Sequence, residues 1–485
     1  MRSASFLVSS PGSVLVPALA GLAVVLATAP GIQAADLSDV QFHGFVSQGY
    51  LFTSNNNWYG ETQNSGTFEF NEFALNAVAR PVDRLRVGVQ LFARDLALYG
   101  NDEVKIDWAY ADYQALQADW GSVGLTVGRF KSTYGLYNEI RDVDMARTPV
   151  FLPTTVYNNR LRDVYLALNG IQAYGNLKMH KAGSLDWTAA LGSNALDNNG
   201  AAATAFTETR AIGKVTNINA DNTTALSLTW NTPLEGLRFR GSILDVRNLR
   251  GTGTAGIGLT NPVTQGLQNG INQGIQGYYA AVGGAAQPYN LVSLDSSAAN
   301  FDNVTFEAPH YYSGIVSAEY QVGGLTLATE WMREYAKFNV TSGWQPNVGE
   351  LNTAINAANP GGVPLAGVAP GQLGSSITGL IPLNNKVQEY RYQLIEGFYF
   401  TGAYRFLDKW EIAGGPQIAF ADYQNRGLGE HRGWSASIRY DIFSNWLVKA
   451  EWQSVRGTQQ LYPSENPDGL KYTWNMLALK TTVDF

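Results

Sequence analysis

The clearest pattern in the sequence is a two-residue alternation in its last segment. Leu477, Leu479, Thr481, Val483 and Phe485 follow one another at steps of two. The residues that alternate with them are Met476, Ala478, Lys480, Thr482 and Asp484. Because successive side chains of a β-strand point to opposite faces, the pattern predicts a strand with one apolar face. An apolar face that continues to the last residue is typical of a strand that faces lipid.

The first 34 residues have the pattern of a secretory signal peptide. Arg2 precedes an apolar stretch at residues 14–29, and residues 32–34 form a cleavage signal. A membrane anchor is the alternative, but Pro17, Pro30 and the short apolar core weigh against a helix of the ~20 residues that span a bilayer. We therefore expect a signal peptide at 1–34 and an exported domain at 35–485.

Composition bounds the ways in which this domain can cross a membrane. No long apolar run follows the signal peptide and the mean hydropathy is −0.14, which excludes helical spans. The 12 Trp, 25 Tyr and 51 Gly residues fit a β-barrel with aromatic girdles. The absence of Cys excludes disulfides and thiolate metal sites. The formal charge of −7 gives no indication of nucleic-acid binding.

Seven short turns organise the remaining sequence into strands. They lie at residues 80–83, 119–121, 179–183, 231–236, 321–324, 407–409 and 441–445. These hairpins, an opening strand at 40–53 and a closing strand at 472–485 predict an all-β, 16-stranded antiparallel transmembrane barrel. The short turns and both ends of the barrel then lie on the periplasmic side, with the long loops outside the cell. The alternation is weakest at residues 207–224.

The alternation also assigns the two faces of the strands. Leu85, Val87 and Val89 share one face, while Arg84 and Arg86 share the other. Since an Arg or Lys facing lipid costs roughly 2–4 kcal/mol at the bilayer midplane, the charged face must line a water-filled lumen. One aromatic girdle is predicted beside the short turns and a second one further along the strands. Their members are Trp120, Trp230, Trp410 and Trp446 for the first, and Trp331, Trp434, Trp452 and Trp474 for the second.

Two long connections are predicted at about 249–309 and about 338–387. Residues 251–294 contain no charged side chain, and the second connection carries Glu350 and Lys386 over most of its length. We interpret both as extracellular loops. They are either flexible surface or a packed lid over the channel mouth, which Tyr278, Tyr279 and Trp344 would favour.

The third connection, at about 132–165, has a different chemistry. It is the densest mixed-charge segment of the chain, flanked by Arg129, Lys131, Arg160 and Arg162. Sixteen strands, a long third loop and an aromatic last residue together resemble the bacterial porins. Residues 127–139, which begin Val-Gly-Arg-Phe-Lys, resemble more particularly the phosphate-selective porin-type channels. The resemblance implies an outer-membrane protein, assembled as a homotrimer, whose third loop folds into the barrel and narrows it.

A barrel of this size is wide enough for an aqueous channel, so selectivity needs side chains inside it. Acidic residues of the loop that face basic residues of the wall would place a transverse field across a constriction. The candidates are Arg80, Arg84, Arg86, Arg94, Lys105, Arg129, Lys131, Glu139, Arg141, Asp142, Asp144 and Arg147. Alternatively, these charges pair with one another and hold the loop on the wall. Residues 129–163 carry two more positive than negative charges, which suggests a modest anion preference.

An enzymatic barrel is the less favoured alternative. His43 and Ser47 share the lumen face of the first strand, but four strand residues span about 13 Å, whereas a nucleophile and its base lie within about 3 Å. His180, His310 and His431 are expected to be solvated. Asp142 and Asp144 resemble part of a calcium loop that lacks its Gly and its final Glu. We predict no enzyme activity, no cofactor and no metal.

The function that follows is passive diffusion of small hydrophilic solutes across the outer membrane. A channel specific for one anion or organic acid, or an adhesin or receptor barrel, are the alternatives. The expected partners are outer-membrane lipid, lipopolysaccharide, the barrel assembly machinery and further copies of the chain, and no nucleic acid. Phe485 is the expected assembly signal, because its strand closes the barrel against the first one.

Overall fold

A computed structural model describes residues 40–485 except 101, 282–289, 359–384 and 428. The predicted signal peptide, 1–34, lies outside the described residues. Among the helices of the described part, none combines the length and the apolar character that a membrane span requires.

The described residues form a closed antiparallel β-barrel of sixteen strands. Neighbouring strands have the alternating polar and apolar sequence that a two-faced sheet requires. In chain order they are β1 (Gln41–Thr53), β2 (Asn71–Val82), β3 (Leu85–Asp95), β4 (Lys105–Ala118), β5 (Gly121–Lys131), β6 (Ala167–Lys178), β7 (Ser184–Ser193), β8 (Ile212–Asn219 and Asn222–Asn231), β9 (Leu237–Ala255), β10 (Val304–Val322), β11 (Leu325–Pro346), β12 (Asn385–Gln393 and Glu396–Phe406), β13 (Trp410–Phe420), β14 (Glu430–Phe443), β15 (Trp446–Gly457) and β16 (Thr473–Asp484).

Each strand pairs with its neighbour in sequence, and β16 pairs with β1 to close the ring. The predicted fold class and strand number are therefore confirmed. Every predicted short turn connects the two strands assigned to it. The end of the barrel that carries these turns is called the short-turn end below, and the opposite one the long-loop end.

Three strands are interrupted: β8, β12 and β10, which a short strand at Ala299–Phe301 precedes along β11. One of them, β8, lies where the alternation is weakest. In β8 the segments Ile212–Asn219 and Asn222–Asn231 both pair with β9, one beyond the other. The register of the first segment shifts twice, and Asn248 in the facing strand has a positive φ of 49°. Such bulges disturb the two-residue period locally and leave the count of strands unchanged. The segments of β12 follow one another along β11 in the same way.

The outer face is apolar and the inner face polar, as predicted. Leu91, Val127 and Ile243 are exposed on the outside of the barrel. Seven of the eight Trp residues predicted in the girdles are exposed or half-buried. Trp474 is the exception, because it is fully buried and donates a hydrogen bond to the Gly457 carbonyl at 3.1 Å. It shares the phase of Met476 and Lys480, so the girdle prediction for Trp474 is wrong.

The long connections are shorter than the sequence suggested, and their described parts contain helices. Strand β9 continues to Ala255, and β11 to Pro346, beyond the predicted starts of the two long loops. The part of the chain that the structure describes contains four α-helices outside the strands: α1 (Arg162–Tyr165), α2 (Ala201–Thr207), α3 (Ile257–Ala281) and α4 (Val348–Ala358). Ile271 and Ile275 of α3 share an apolar cluster with Leu351 and Ile355 of α4. The two long loops therefore pack on each other, while the side chains of Tyr278 and Tyr279 lie outside the described residues.

Candidate functional site

The segment between β5 and β6, residues 132–166, is called loop 3. It is mostly irregular and contains the short helix α1 and three single 3₁₀ turns at Asn138–Ile140, Asp144–Ala146 and Asn159–Leu161. Its side chains contact inward-facing residues of β9 to β16, so the loop crosses the barrel interior. Gly135 permits the close approach, with φ of 63° and no Cβ to collide with the Tyr157 hydroxyl.

The carboxylate of Asp144 is held by basic side chains from two strands. Lys480 Nζ lies 2.6 Å and Lys449 Nζ 3.5 Å from its oxygens, and Thr482 donates to it at 2.8 Å. Arg147 of the loop completes the set at 3.1 Å. We call these five residues the Asp144 cluster. Because Asp144 and Lys449 are fully buried, removing one partner leaves an uncompensated charge in the interior.

The same wall also binds the backbone of loop 3. Arg439, Lys449 and Lys480 lie side by side on β14, β15 and β16. Lys449 donates to the carbonyls of Asp144 and Arg147 at 2.7 and 2.8 Å, and Arg439 donates to the Met145 carbonyl at 2.7 Å. This basic row is therefore satisfied by one turn of loop 3.

A buried carboxylate holds the loop from another part of the wall. Glu330 of β11 accepts hydrogen bonds from the Leu136 amide at 2.8 Å and the Tyr157 hydroxyl at 2.5 Å. Two wall residues, Ser317 and Tyr399, donate to it at 2.6 and 2.7 Å. We call this group the Glu330 anchor. Four donors around one carboxylate offset the cost of burying it.

A third group of charges joins loop 3 to its own flanking strand. Asp142 lies 2.6 Å from Lys131 and 2.7 Å from Arg162, and Lys131 also contacts Asp107 of β4 at 2.9 Å. Burial alone would raise the pKa of Asp142, but the charges of Arg162 and Lys131 outweigh it and hold that pKa well below its usual range. Asp142 is therefore ionised and committed to the fold at neutral pH.

Loop 3 makes the two sides of the barrel interior unequal. On β10 to β16, which we call the covered wall, the inward-facing polar side chains beside loop 3 are buried. They include Ser313, Ser317, Glu319, Glu330, Glu334, Gln417, Ser437, Arg439, Lys449, Glu451, Gln453, Lys480 and Thr482. On β2 to β7, which we call the open wall, polar side chains in the short-turn half stay half-buried or exposed. They include Asn76, Arg86, Gln90, Tyr110, Asp112, Gln172, Tyr174, Asn176 and Asp186.

Few charged groups face the water that remains between loop 3 and the open wall. Arg86 is 45% exposed and pairs loosely with Asp112 at 3.5 Å. On the loop, the Glu139 side chain is also 45% exposed, and its nearest cation is Arg240 at 3.8 Å. The six basic side chains of residues 129–163 have partners in the protein: Lys131, Arg147 and Arg162 pair with buried carboxylates, and Arg129, Arg141 and Arg160 donate to backbone carbonyls. The sum of their charges therefore does not describe the charge that a passing ion meets.

The predicted site residues fall into three groups. Lys131, Glu139, Arg141, Asp142, Asp144 and Arg147 lie in loop 3 or directly before it, inside the barrel. Arg86, Arg94, Lys105 and Arg129 lie on β3, β4 and β5, while Arg80 and Arg84 lie at the exposed β2–β3 turn, away from loop 3. Arg94 is buried and donates to the Tyr99 carbonyl at 2.7 Å. Arg129 donates to the Ile106 and Asp107 carbonyls, and Lys105 pairs with Glu103 and Asp197.

The position of Arg141 keeps it from contacting solutes. It is buried and donates to the Tyr157 carbonyl and the Asn159 side chain, both at 3.2 Å. Burial and the neighbouring charge of Arg162 lower the pKa of Arg141 to about 9. It therefore holds two parts of loop 3 together.

The strongest contacts of loop 3 involve residues that were absent from the predicted set. Lys449, Lys480, Arg439 and Glu330 are spread over four strands. The alternation of β14 and β15 already places Arg439 and Lys449 on the charged face. The alternation thus marked these charged residues as facing the lumen. Nothing in the sequence indicated which residue of loop 3 each of them contacts.

The residues considered for an enzyme lie apart or are inaccessible. His43 and Ser47 are separated along β1, as expected. His431 is fully buried beside Trp474, so the prediction that it is solvated is wrong. Within the described residues, no group of three or more His, Asp or Glu side chains is arranged to hold a metal ion.

Phe485 follows β16 directly and joins it to β1. Its amide donates to the Gly44 carbonyl at 3.0 Å, and the Gly44 amide donates to the Phe485 carbonyl at 2.9 Å. The ring is 60% exposed on the outside of the barrel. Its function as an assembly signal stays a prediction.

No protein-family model and no curated protein matches this chain. The chain is similar to solved structures of outer-membrane proteins. The similarity to a loop-deletion mutant of OmpT from Vibrio cholerae has 11% identity and a TM-score of 0.46, and covers 92% of this chain and 99% of that one. OmpF of Salmonella typhi in complex with daunomycin has 10% identity and a TM-score of 0.49, and the similarity covers 92% of this chain and 97% of that one. The outer membrane channel DcaP of Acinetobacter baumannii has 11% identity and a TM-score of 0.45, and the similarity covers 92% of this chain and 97% of that one.

Proposed function

We propose that this chain is an outer-membrane channel through which small hydrophilic solutes diffuse passively, and that it has no enzyme activity. The observation that carries the proposal is the unequal interior of the barrel. Loop 3 buries the covered wall, and the open wall keeps polar side chains in contact with water. Solutes would pass between loop 3 and the open wall, where Arg86 and Glu139 are exposed.

The proposal extends to the surroundings of the barrel. The chain would be exported with loss of residues 1–34, inserted by the barrel assembly machinery, and surrounded by lipid and lipopolysaccharide as a homotrimer. The apolar outer face of the strands supports insertion into a membrane, because water would not favour so many exposed apolar side chains. Cross-linking of the intact outer membrane measures the number of copies.

Selectivity is the finer part of the proposal. The modest anion preference stays a prediction, and so does the resemblance to phosphate-selective channels. The charges exposed near the open wall are of both signs, which supports a weak preference. Reversal potentials across a KCl gradient measure it, and a cation-selective channel would contradict the predicted sign.

The deciding experiment is swelling of liposomes that contain the refolded chain. We expect swelling in small sugars, phosphate and carboxylates, at rates that fall with solute size. Liposomes with a variant that lacks residues 138–158 are the comparison, since removing the middle of loop 3 should admit larger solutes. Absence of swelling with a correctly folded barrel would overturn the proposed function.

A further inference from the structure

A cavity of about 330 Å³ lies at the long-loop end of the barrel, separate from the contacts that hold loop 3 on the covered wall. Four strands bound it: the first segments of β8 and β12, together with β10 and β11. Helix α2, the residues Thr209 and Ala211 that follow it, and Leu161 from the end of loop 3 complete the lining. Its volume lies in the range of pockets that hold small organic molecules.

Most of the lining is apolar, which is unexpected for the interior of a barrel with a polar lumen. Phe206 of α2 packs on Phe306 and Phe338, with ring centroids 4.6 and 5.0 Å apart. Ile212 and Val340 extend the same surface. Water gains few hydrogen bonds in such a space, so an apolar ring or short chain would displace it favourably.

One cation stands at the edge of this apolar surface. Arg391 lines the cavity, and within the described residues no Asp or Glu does. Its Nε atom donates to Glu389 at 2.6 Å and its Nη1 atom to the Thr209 carbonyl at 3.3 Å. A guanidinium has five N–H groups, so these two contacts orient the group and leave donors for a further acceptor.

We propose that this cavity, with Arg391 at its edge, is a binding site for organic acids that carry an apolar ring or short chain. The three phenylalanine rings hold the apolar body, and Arg391 donates to the carboxylate. Binding itself needs only the folded barrel. The role of the site as an entry station for solutes rests on the proposed channel function.

Calorimetric titration of the refolded full-length chain with 3-phenylpropionate tests the site. Acetate lacks the apolar body and 3-phenylpropanol lacks the charge, so both should bind at least tenfold more weakly. In R391Q and F206A the affinity for 3-phenylpropionate should also fall at least tenfold. R250Q is the matched control. Arg250 is an exposed arginine that does not line the cavity, and it pairs with Asp221 at a distance of 2.7 Å. Its affinity should equal that of the wild type.

The outcomes separate the site from the channel. No binding to the wild type, equal binding to R391Q and F206A, or equal binding of 3-phenylpropanol would each overturn the proposed site. Heat-modifiable migration in gels verifies that every variant is folded. If the chain binds 3-phenylpropionate but liposomes do not swell, the channel function fails and the site stands. If liposomes swell and the titration shows no binding, the site alone fails.

Discussion

The covered wall and the open wall are made of the same kind of strand and differ in what faces them. Both alternate apolar and polar residues, and both place charged side chains inside the barrel. On the covered wall Lys449 and Lys480 are buried against loop 3, whereas Arg86 on the open wall is 45% exposed. The strand pattern therefore decides which side chains point inward, and loop 3 decides which of those meet water.

This difference changes the energetic role of each charge. A buried charge is stable only with partners, and losing one partner costs about 3–5 kcal/mol. An exposed pair is screened by water and contributes about 0–1 kcal/mol. Charges on the covered wall should therefore affect stability, and charges on the open wall should affect permeation.

The largest effect is expected for Asp144→Ala. Lys449 would lose its carboxylate partner in the interior and Lys480 would keep only Glu72, so we expect the free energy of unfolding to fall by about 3–5 kcal/mol. Urea titration of the refolded barrel measures it. Glu139→Ala is the matched control, because this loop carboxylate is exposed, and it should change stability by less than about 1 kcal/mol. Equal losses in the two variants would contradict the distinction between the two walls.

A smaller loss is expected when the Glu330 anchor is removed. Glu330→Ala would leave the buried hydroxyls of Tyr157 and Tyr399 without their acceptor, but it would also remove the cost of burying the carboxylate, so we expect a net loss of about 1–3 kcal/mol. Amide hydrogen exchange should become faster in residues 132–166 and stay unchanged in β2 to β4. Glu235→Ala, in an exposed short turn, is the control. Unchanged exchange in loop 3 would show that the Asp144 cluster holds the loop without this anchor.

On the open wall we expect a change in selectivity without a loss of stability. The Coulomb energy between one charge and an ion ~10 Å away in water is about 0.4 kcal/mol, which changes the permeability by about a factor of two. Arg86→Gln should therefore shift the reversal potential in a KCl gradient toward cations by that small factor. The control is Arg456→Gln, since Arg456 lies in the outward phase of β15 and is exposed. A shift of the same size in Arg456→Gln would show that the change in reversal potential does not depend on a charge inside the lumen.

The smallest effect tests a buried acid that belongs to neither wall. Glu465, in the loop between β15 and β16, accepts the Gly60 amide at 2.8 Å. Burial raises the pKa of this carboxyl to about 7, with Glu208 adding to the shift and Arg160 opposing it. A raised pKa means that the packed loop holds the proton more tightly than the open loop. Its contribution is thus present below about pH 4.3, the ordinary value for Glu, and is lost as the pH rises to about 7.

Hydrogen exchange between pH 5 and 8 measures this dependence, after correction for the intrinsic effect of pH. Protection of residues 54–70 and 458–472 should decrease as the pH rises in the wild type. In Glu465→Gln the decrease should disappear, because the amide does not titrate. The same decrease in both proteins would assign the dependence to another group.

Much of the barrel was predictable because strands and turns are local. The alternation around Leu85 and Arg86 identified an inner and an outer face, and residues 80–83 marked a turn that the structure contains. The prediction for Trp474 was wrong because it ignored the alternation, which places Trp474 on the inner face with Met476 and Lys480. It was also incomplete where a long loop folds on its own, since a 25-residue helix begins at Ile257 in a segment that we interpreted as a connection.

The candidate site was predictable only in part. Its loop was recognisable from the density of charges between Ser132 and Tyr165, and Asp142 and Asp144 were among the candidates. The wall partners of Asp144 were not identified, because Lys449 and Lys480 are more than 300 residues away along the chain. Sequence spacing carries no information on which inward-facing charge a long loop will reach.

The sequence by itself determined the strands, their faces, the seven tight turns and the mixed-charge loop, because the two-residue period and turn chemistry act between near neighbours. Only the tertiary structure decided that loop 3 lies on β10 to β16, that Arg80 and Arg84 stay apart from it, and that an apolar cavity forms beside Arg391. The reason is physical. A closed ring brings strands from both ends of the chain around one interior, and burial there decides which charges must pair.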